Sequence, residues 1–347
     1  MLHERDRAPM LSRAAVLIAS ETFELRELEV PTPGPGQVRL RVHACGICGS
    51  DKVLAQVSAP GTILGHEVIG EIESCGAGVT AWHPGERAVP LGDGLGMSPH
   101  RGGFSEGIVV AAATCVRVPD PLPSLHAVLA EPLANGLHFV RRGRLQRGQR
   151  VAILGAGQIG LSMLFWARRL GAGRIVVSEP VAARAALARE LGADIVIAPP
   201  AGADLTAAIA DALGGRPQLV LEAVGRADVM EQAVRLPGPG GAVVVLAGIP
   251  RDALTIRPAS LCLKETDLVF PIGTNAAEVE EVLAIMVAGE VPAERFVSHR
   301  IRQADIPAAL RDLGRPTDQI KVVVDYFAST RSDLKTRSDP TGDAPWK

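Results

Sequence analysis

Residues 150–170 read RVAILGAGQIGLSMLFWARRL. An apolar run, a glycine turn and a helix-forming stretch follow in the order of a strand–turn–helix unit. Gly155, Gly157 and Gly160 fit G-x-G-x-x-G, with Gln158 and Ile159 filling the x-x positions. The first glycine permits the tight turn, the second lets a pyrophosphate approach the backbone, and the third lets helix and strand pack closely. The helix N-terminus then offers unpaired N–H groups to phosphate. The rhythm continues outward through RIVVS (174–178), VAARAALAREL (181–191), DIVIA (194–198), ADLTAAIADAL (203–213), QLVLEA (218–223), ADVMEQAVRL (227–236) and AVVVLAG (242–248). Strands and helices alternating at these lengths imply a parallel sheet with right-handed crossovers. Continuous Val/Ile/Leu strands imply helices on both faces, so the class is α/β and doubly wound.

Glu179 ends the second strand, 19 residues beyond Gly160. An acidic side chain there binds the adenosine ribose hydroxyls and repels a 2′-phosphate, so NAD is expected over NADP. Arg184 either covers the adenine or lies on a helix surface. Gly248 and Ile249, at the end of the last strand, stand where backbone groups can orient a nicotinamide amide.

Upstream the texture differs. RAAVLIA (13–19), QVRLRVHA (37–44), EVIGEIES (67–74), RAVPL (87–91) and FSEGIVV (104–110) read as short strands. PTPGPG (31–36), SAPGT (58–62) and GAGVTAWHPGE (76–86) supply the turns, which suggests a barrel-like β fold. The expected division is 1–139, a parallel-sheet domain over 140–273, a return to the first domain over 274–327, and a flexible polar tail over 328–347. The chain length of 347 residues suits two domains.

A formal charge of −2 gives no field that would draw nucleic acid or anionic lipid. Five cysteines, an odd and sparse set, do not make a disulfide scaffold. No apolar run approaches the ~18–20 residues of a membrane helix. Acidic residues precede the short apolar stretch near the start, and no small-residue cleavage site follows it. The expected setting is the cytoplasm and the expected partner a small molecule.

Cys45, Cys48, His66, Glu67 and Glu131 are the other informative residues. The CGIC pair alone reads as half a zinc knuckle or a redox pair. A knuckle needs a second close pair, and Cys75, Cys115 and Cys262 are isolated. A redox pair belongs at a helix N-terminus, and this one follows a β pattern. A catalytic zinc, with three ligands from scattered positions and one place left open, fits better.

ACGICGSD (44–51), GHEVIGEIESCGAGVTAWHPGERAV (65–89), GGFSEGIVV (102–110), EPLANGLH (131–138) and VAILGAGQIG (151–160) together resemble the zinc-dependent medium-chain dehydrogenase/reductase family. The nearest branch is that of the sorbitol, threonine and butanediol dehydrogenases. The likeness runs from about Leu25 to Tyr326, with five motifs in the family's order. It implies a GroES-like β domain split around a Rossmann domain, the active site in the cleft between them, and a homo-oligomer joined through the Rossmann sheet edge. Carried over by motif, the metal ligands are Cys48 and His66, with Glu67 or Glu131 as the third. Neighbours on a strand face opposite ways, so His66 and Glu67 can share an ion only where the backbone turns irregularly. Glu131 precedes Pro132, and a carboxylate at that helix start is stabilised as an anion. Asp51 matches the acid that orients a ligating histidine. Ser50 takes the substrate proton, and Cys45 is a buried free thiol.

Two departures stand out. The family's structural zinc lobe carries four cysteines, and here the interval is LGDGLGMSPHR (91–101), without one, so one zinc per chain is expected. Val53 stands where many relatives have a histidine. The implied reaction is the reversible oxidation of a secondary alcohol or polyol to its ketone, with hydride passing to the nicotinamide. One rival is a zinc-independent NADPH enone or quinone reductase of the same fold, which gives no reason for Cys48, His66 and Glu131 together. The other is a non-catalytic dinucleotide-binding relative, which chelator-sensitive turnover would exclude.

Overall fold

The computed structural model describes residues 10–327 apart from Asp93, His100, Ala201, Arg251, Gly314 and Pro316. The stretch 328–347, expected to be a flexible tail, lies outside the described residues. The chain divides into two compact units. One takes the chain up to Ala130, Glu280–Gly314 and the chain from Lys321, and the other takes Glu131–Val279 and Arg315–Ile320.

In the first unit, β1 (Met10–Ala19) and β2 (Thr22–Val30) form an antiparallel hairpin. The second of these was not anticipated, because TFELRELEV is charged and mostly exposed and gives little apolar signal. β3 (Gln37–Ile47) is the spine of the larger sheet. It pairs antiparallel with β4 (Glu67–Cys75) and with β6 (Gly107–Ala111), while β5 (Arg87–Pro90) joins β4 to β7 (Cys115–Arg117). Nearly every β3 side chain is buried, so the strand runs three residues past the alternating stretch that marks it in the sequence. That extension places Cys45 in a core shared with Leu64, Val68 and Phe104.

The second unit is a parallel sheet of β8 (Val151–Leu154), β9 (Ile175–Ser178), β10 (Ile195–Ile197), β11 (Leu219–Glu222), β12 (Val243–Leu246) and β13 (Asp267–Val269). The strand order is β10-β9-β8-β11-β12-β13. All residues of β8, β9, β11 and β12 are buried, as the unbroken apolar runs require. Edge strand β13 and helix Pro258–Lys264 were not foreseen; both are short, and the helix buries no residue. Chain direction across the sheet reverses between β8 and β11, the switch point where such sheets open a ligand crevice at the strand carboxyl ends.

The first unit is completed by β14 (Val297–Ile301) and β15 (Lys321–Asp325), parallel to each other, with β15 antiparallel to β3. Ala293–Phe296 makes a helical turn directly before β14.

Candidate metal centre and nucleotide loop

Where β3 ends, Cys48 becomes the N-cap of helix Gly49–Val57. This corrects the expectation that the CGIC pair lies away from a helix N-terminus. The helix went unseen because it buries only Asp51 and Ala55, too few to set up a period. Asp51 Oδ2 accepts the Cys48 N–H at 2.8 Å, fixing the cap. Cys48 itself is half-buried at the start of that helix. Cys45 differs: its thiol is sealed in the core and burial pushes its pKa well up.

His66 lies in the irregular segment between Gly65, at φ +90°, and the first residue of β4. Strand alternation therefore does not separate His66 from Glu67. Ligand atoms of Cys48, His66 and Glu67 all fall within 4.8 Å of one another. One sulfur, one ring nitrogen and one carboxylate oxygen form a donor set that suits zinc with a fourth position left open. Asp51, fully buried, sets the histidine: its Oδ1 lies 3.2 Å from His66 Nδ1 and also accepts the Gly65 N–H at 3.3 Å. That contact leaves Nε2 for the metal side, with Ser50 Oγ 3.4 Å from it. Burial opposes charge on His66, but Asp51 and Cys48 together hold its pKa well above the ordinary value.

Glu67 has a partner that the sequence did not announce. Lys321 Nζ donates to both carboxylate oxygens, at 2.6 and 2.7 Å, and to Ile47 O at 3.1 Å. Both side chains of this pair are almost fully buried. Position 46 is a glycine because any Cβ there would overlap Glu67 Oε2. In the sequence Lys321 reads as the polar start of strand IKVVVDY; only the need of a buried carboxylate for a counter-charge could have flagged it.

In the second unit Gly155 adopts φ +92°, and a Cβ on Gly160 would overlap the Gly155 carbonyl oxygen. These are the tight turn and the close helix–strand packing expected of the motif. Gly157 caps helix Gln158–Arg169 without a side-chain hydrogen bond and faces open space, so its end is free to receive phosphate. Gln158 Nε2 donates to Ser162 Oγ, and Ile159 follows in the first turn. The buried Glu179 carboxylate accepts N–H groups from Ala156 and Val181, each at 2.8 Å, which ties the end of β9 to the glycine loop. Arg184 Nε donates to the Gln319 carbonyl at 2.9 Å, and burial lowers its pKa against the pull of Glu179 and Asp318. Gly248 packs so closely on Gly225 that a Cβ at 248 would overlap the Gly225 Cα, and Ile249 beside it is exposed. Glu131, in the first turn of helix Ala130–Arg142, accepts from Asn135 Nδ2 at 2.7 Å.

Residues 34–120 match the alcohol dehydrogenase GroES-like domain and residues 159–288 the zinc-binding dehydrogenase domain. The chain is 31% identical to sorbitol dehydrogenase of Macaca fascicularis, over 71% of this chain and 77% of that protein. It is 30% identical to (R,R)-butanediol dehydrogenase of Bacillus subtilis, over 87% and 96%. Among solved structures, a zinc-binding dehydrogenase from Sinorhizobium meliloti bound to NADP superimposes with a TM-score of 0.83 at 28% identity, covering 91% of this chain and 99% of that one. The chain belongs to the zinc-type medium-chain alcohol dehydrogenases, oxidoreductases that work with zinc and a nicotinamide cofactor on small molecules. Among the described residues no helix is long and apolar enough to cross a membrane.

Proposed function

We propose that this enzyme interconverts a secondary alcohol or polyol and its ketone, using NAD and a single zinc held by Cys48, His66 and Glu67. The observation that carries the reading is the convergence of those three donor atoms within 4.8 Å. Zinc, when bound, supplies Lewis acidity that eases ionisation of the substrate hydroxyl, and the nicotinamide takes the hydride. Cys48 and Glu67 bring negative charge that moderates the metal's acidity. Asp51 holds the tautomer and angle of His66. Ser50, beside that ring, relays the hydroxyl proton: its Oγ accepts from the substrate while its own proton passes on toward the cofactor ribose. Glu131, already held by Asn135, is not needed to complete a three-ligand set.

Gly155, Gly157, Gln158, Ile159 and Gly160 take the pyrophosphate, while Gly248 and Ile249 orient the nicotinamide. Glu179 supports NAD over NADP, because a second negative charge at the end of β9 repels a 2′-phosphate. The cysteine-free interval 91–101 supports one zinc per chain. The exposed Leu263, Phe270 and Ile272 flanking edge strand β13 support a homo-oligomer. The five unpaired cysteines suit the reducing cytoplasm.

The test is metal content by mass spectrometry together with initial rates over polyols, amino alcohols, cyclitols and terpene alcohols with NAD and with NADP. One zinc per chain, chelator-sensitive turnover and a preference for NAD are expected. Full turnover by metal-free protein would sink the proposal.

A further inference from the structure

The glycine loop after β8 and Glu179 after β9 account for part of a dinucleotide site. The next strand ends in a group that neither of them uses. Glu222, the last residue of β11, is fully buried and pairs with no cation among the described residues. Its Oε1 accepts the Val224 N–H at 2.7 Å and the Gly225 N–H at 2.8 Å. Its Oε2 is buried without a hydrogen bond of ordinary geometry and faces Gly248, at the end of neighbouring β12. Burial pushes the carboxyl pKa up, against the opposing pull of the Gly225, Val224 and Gly248 N–H groups. A buried carboxyl without a cation is costly, and apolar Leu219, Val220 and Leu221 show what packing alone would select.

What Glu222 holds is a wedge. Gly225 takes φ +76°, and a Cβ on Gly248 would overlap the Gly225 Cα. A Cβ on Gly155 would press to 2.8 Å on Val224 Cγ2. The Ala223–Gly225 turn is therefore packed between the glycine loop and the end of β12, and it leaves Val224 and Ile249 exposed. In a parallel sheet the ligand lies over the strand carboxyl ends at the switch point. With adenosine over β9 and pyrophosphate over β8, the remaining half of the cofactor extends over β11 and β12.

We propose that Glu222 is a positioning residue that clamps the ends of β11 and β12 into the platform for the nicotinamide half of the cofactor. The proposal rests on the reading that the second unit binds NAD across these strand ends. Glu222→Leu keeps much of the bulk but leaves the Val224 and Gly225 N–H groups without an acceptor. The test compares the dissociation constants of NADH and ADP-ribose, which lacks the nicotinamide, for wild-type and variant holoenzyme. NADH binding weakened at least fivefold with ADP-ribose held within twofold is expected. Equal weakening of both ligands, or unchanged NADH binding, would overturn the proposal. Wild-type protein that binds neither ligand would overturn the cofactor reading itself. A measurement on the wild type is independent of how the variant folds: by hydrogen exchange, the Val224 and Gly225 amides should be as protected as those of β11. Exchange at an open-loop rate would refute the clamp.

Discussion

Replacing Lys321 by methionine tests whether Glu67, already paired with that lysine, also serves as a zinc ligand. In the metal-free protein the lysine is the only cation bonded to that carboxylate in the described residues, through two short hydrogen bonds in a site closed to solvent. Removing one member of a buried pair costs about 3–5 kcal/mol, because the charge left behind has neither water nor a partner. Zinc at the Glu67 oxygen would restore a counter-charge. If it recovers about half of that cost, ~2 kcal/mol, zinc binding to Lys321→Met tightens by roughly 30-fold relative to wild type. The assay pairs thermal melts of zinc-free and zinc-loaded protein with competition against a chromophoric chelator. The zinc-free variant should melt well below wild type, the zinc-loaded variant should recover much of the gap, and Lys321→Arg should stay close to wild type in both. Zinc affinity that is unchanged or weaker in Lys321→Met would refute the reasoning and remove Glu67 from the ligand set.

Asp51→Asn loses the carboxylate that holds both the Cys48 cap and the His66 ring, so zinc affinity should fall about 10–100-fold by the same chelator competition. Asp194 accepts from the Ile175 N–H and Arg168, which outweigh the opposing effect of burial and hold its pKa below the usual value. The stability it contributes is present above the unfolded carboxylate pKa of about 4 and lost as pH falls through the lower folded value. Asp194→Asn should therefore melt below wild type at pH 7, with the difference closing below about pH 4. Native-state alkylation at pH 8, read by peptide mass spectrometry, should mark exposed Cys262 and spare Cys45 and Cys115. Burial raises the pKa of the Cys115 thiol to about 12, so labelling of Cys115 as fast as Cys262 would contradict the packing.

The second unit was legible because each buried parallel strand is an uninterrupted apolar run and because Gly155 and Gly160 of the loop answer local steric demands. The three donor residues that the structure brings together stand in motifs visible in the sequence, although positions 48, 66 and 67 meet only through β3–β4 pairing and the break at Gly65. Helix Gly49–Val57 and strand β2 escaped notice for one reason: both bury too little to impose a period on the sequence. Lys321 and Glu222 escaped for another. A charge is placed in a core by what lies across from it, 254 positions away for Lys321, and no local window carries that information.

The interval 91–101 reads in the sequence as a missing lobe, yet the backbone around it is closely built against the loop that carries His66. Ser98 bridges Ile63. The Gly103 N–H bonds to Gly65 O at 2.7 Å and the Phe104 N–H to Leu64 O at 2.9 Å. A Cβ on Gly102 would overlap the Ile63 carbonyl oxygen, and one on Gly96 would sit 3.0 Å from that of Gly65. Glycine at those positions is what allows two backbones to meet without side chains between them. The bonds also satisfy amide groups that burial would otherwise leave unpaired. Residues 63–65, and with them the angle at which His66 leaves the chain, are thus fixed from one side by Asp51 and from the other by this strap. A segment without cysteine can hold the loop before His66 rigid because the rigidity comes from its backbone.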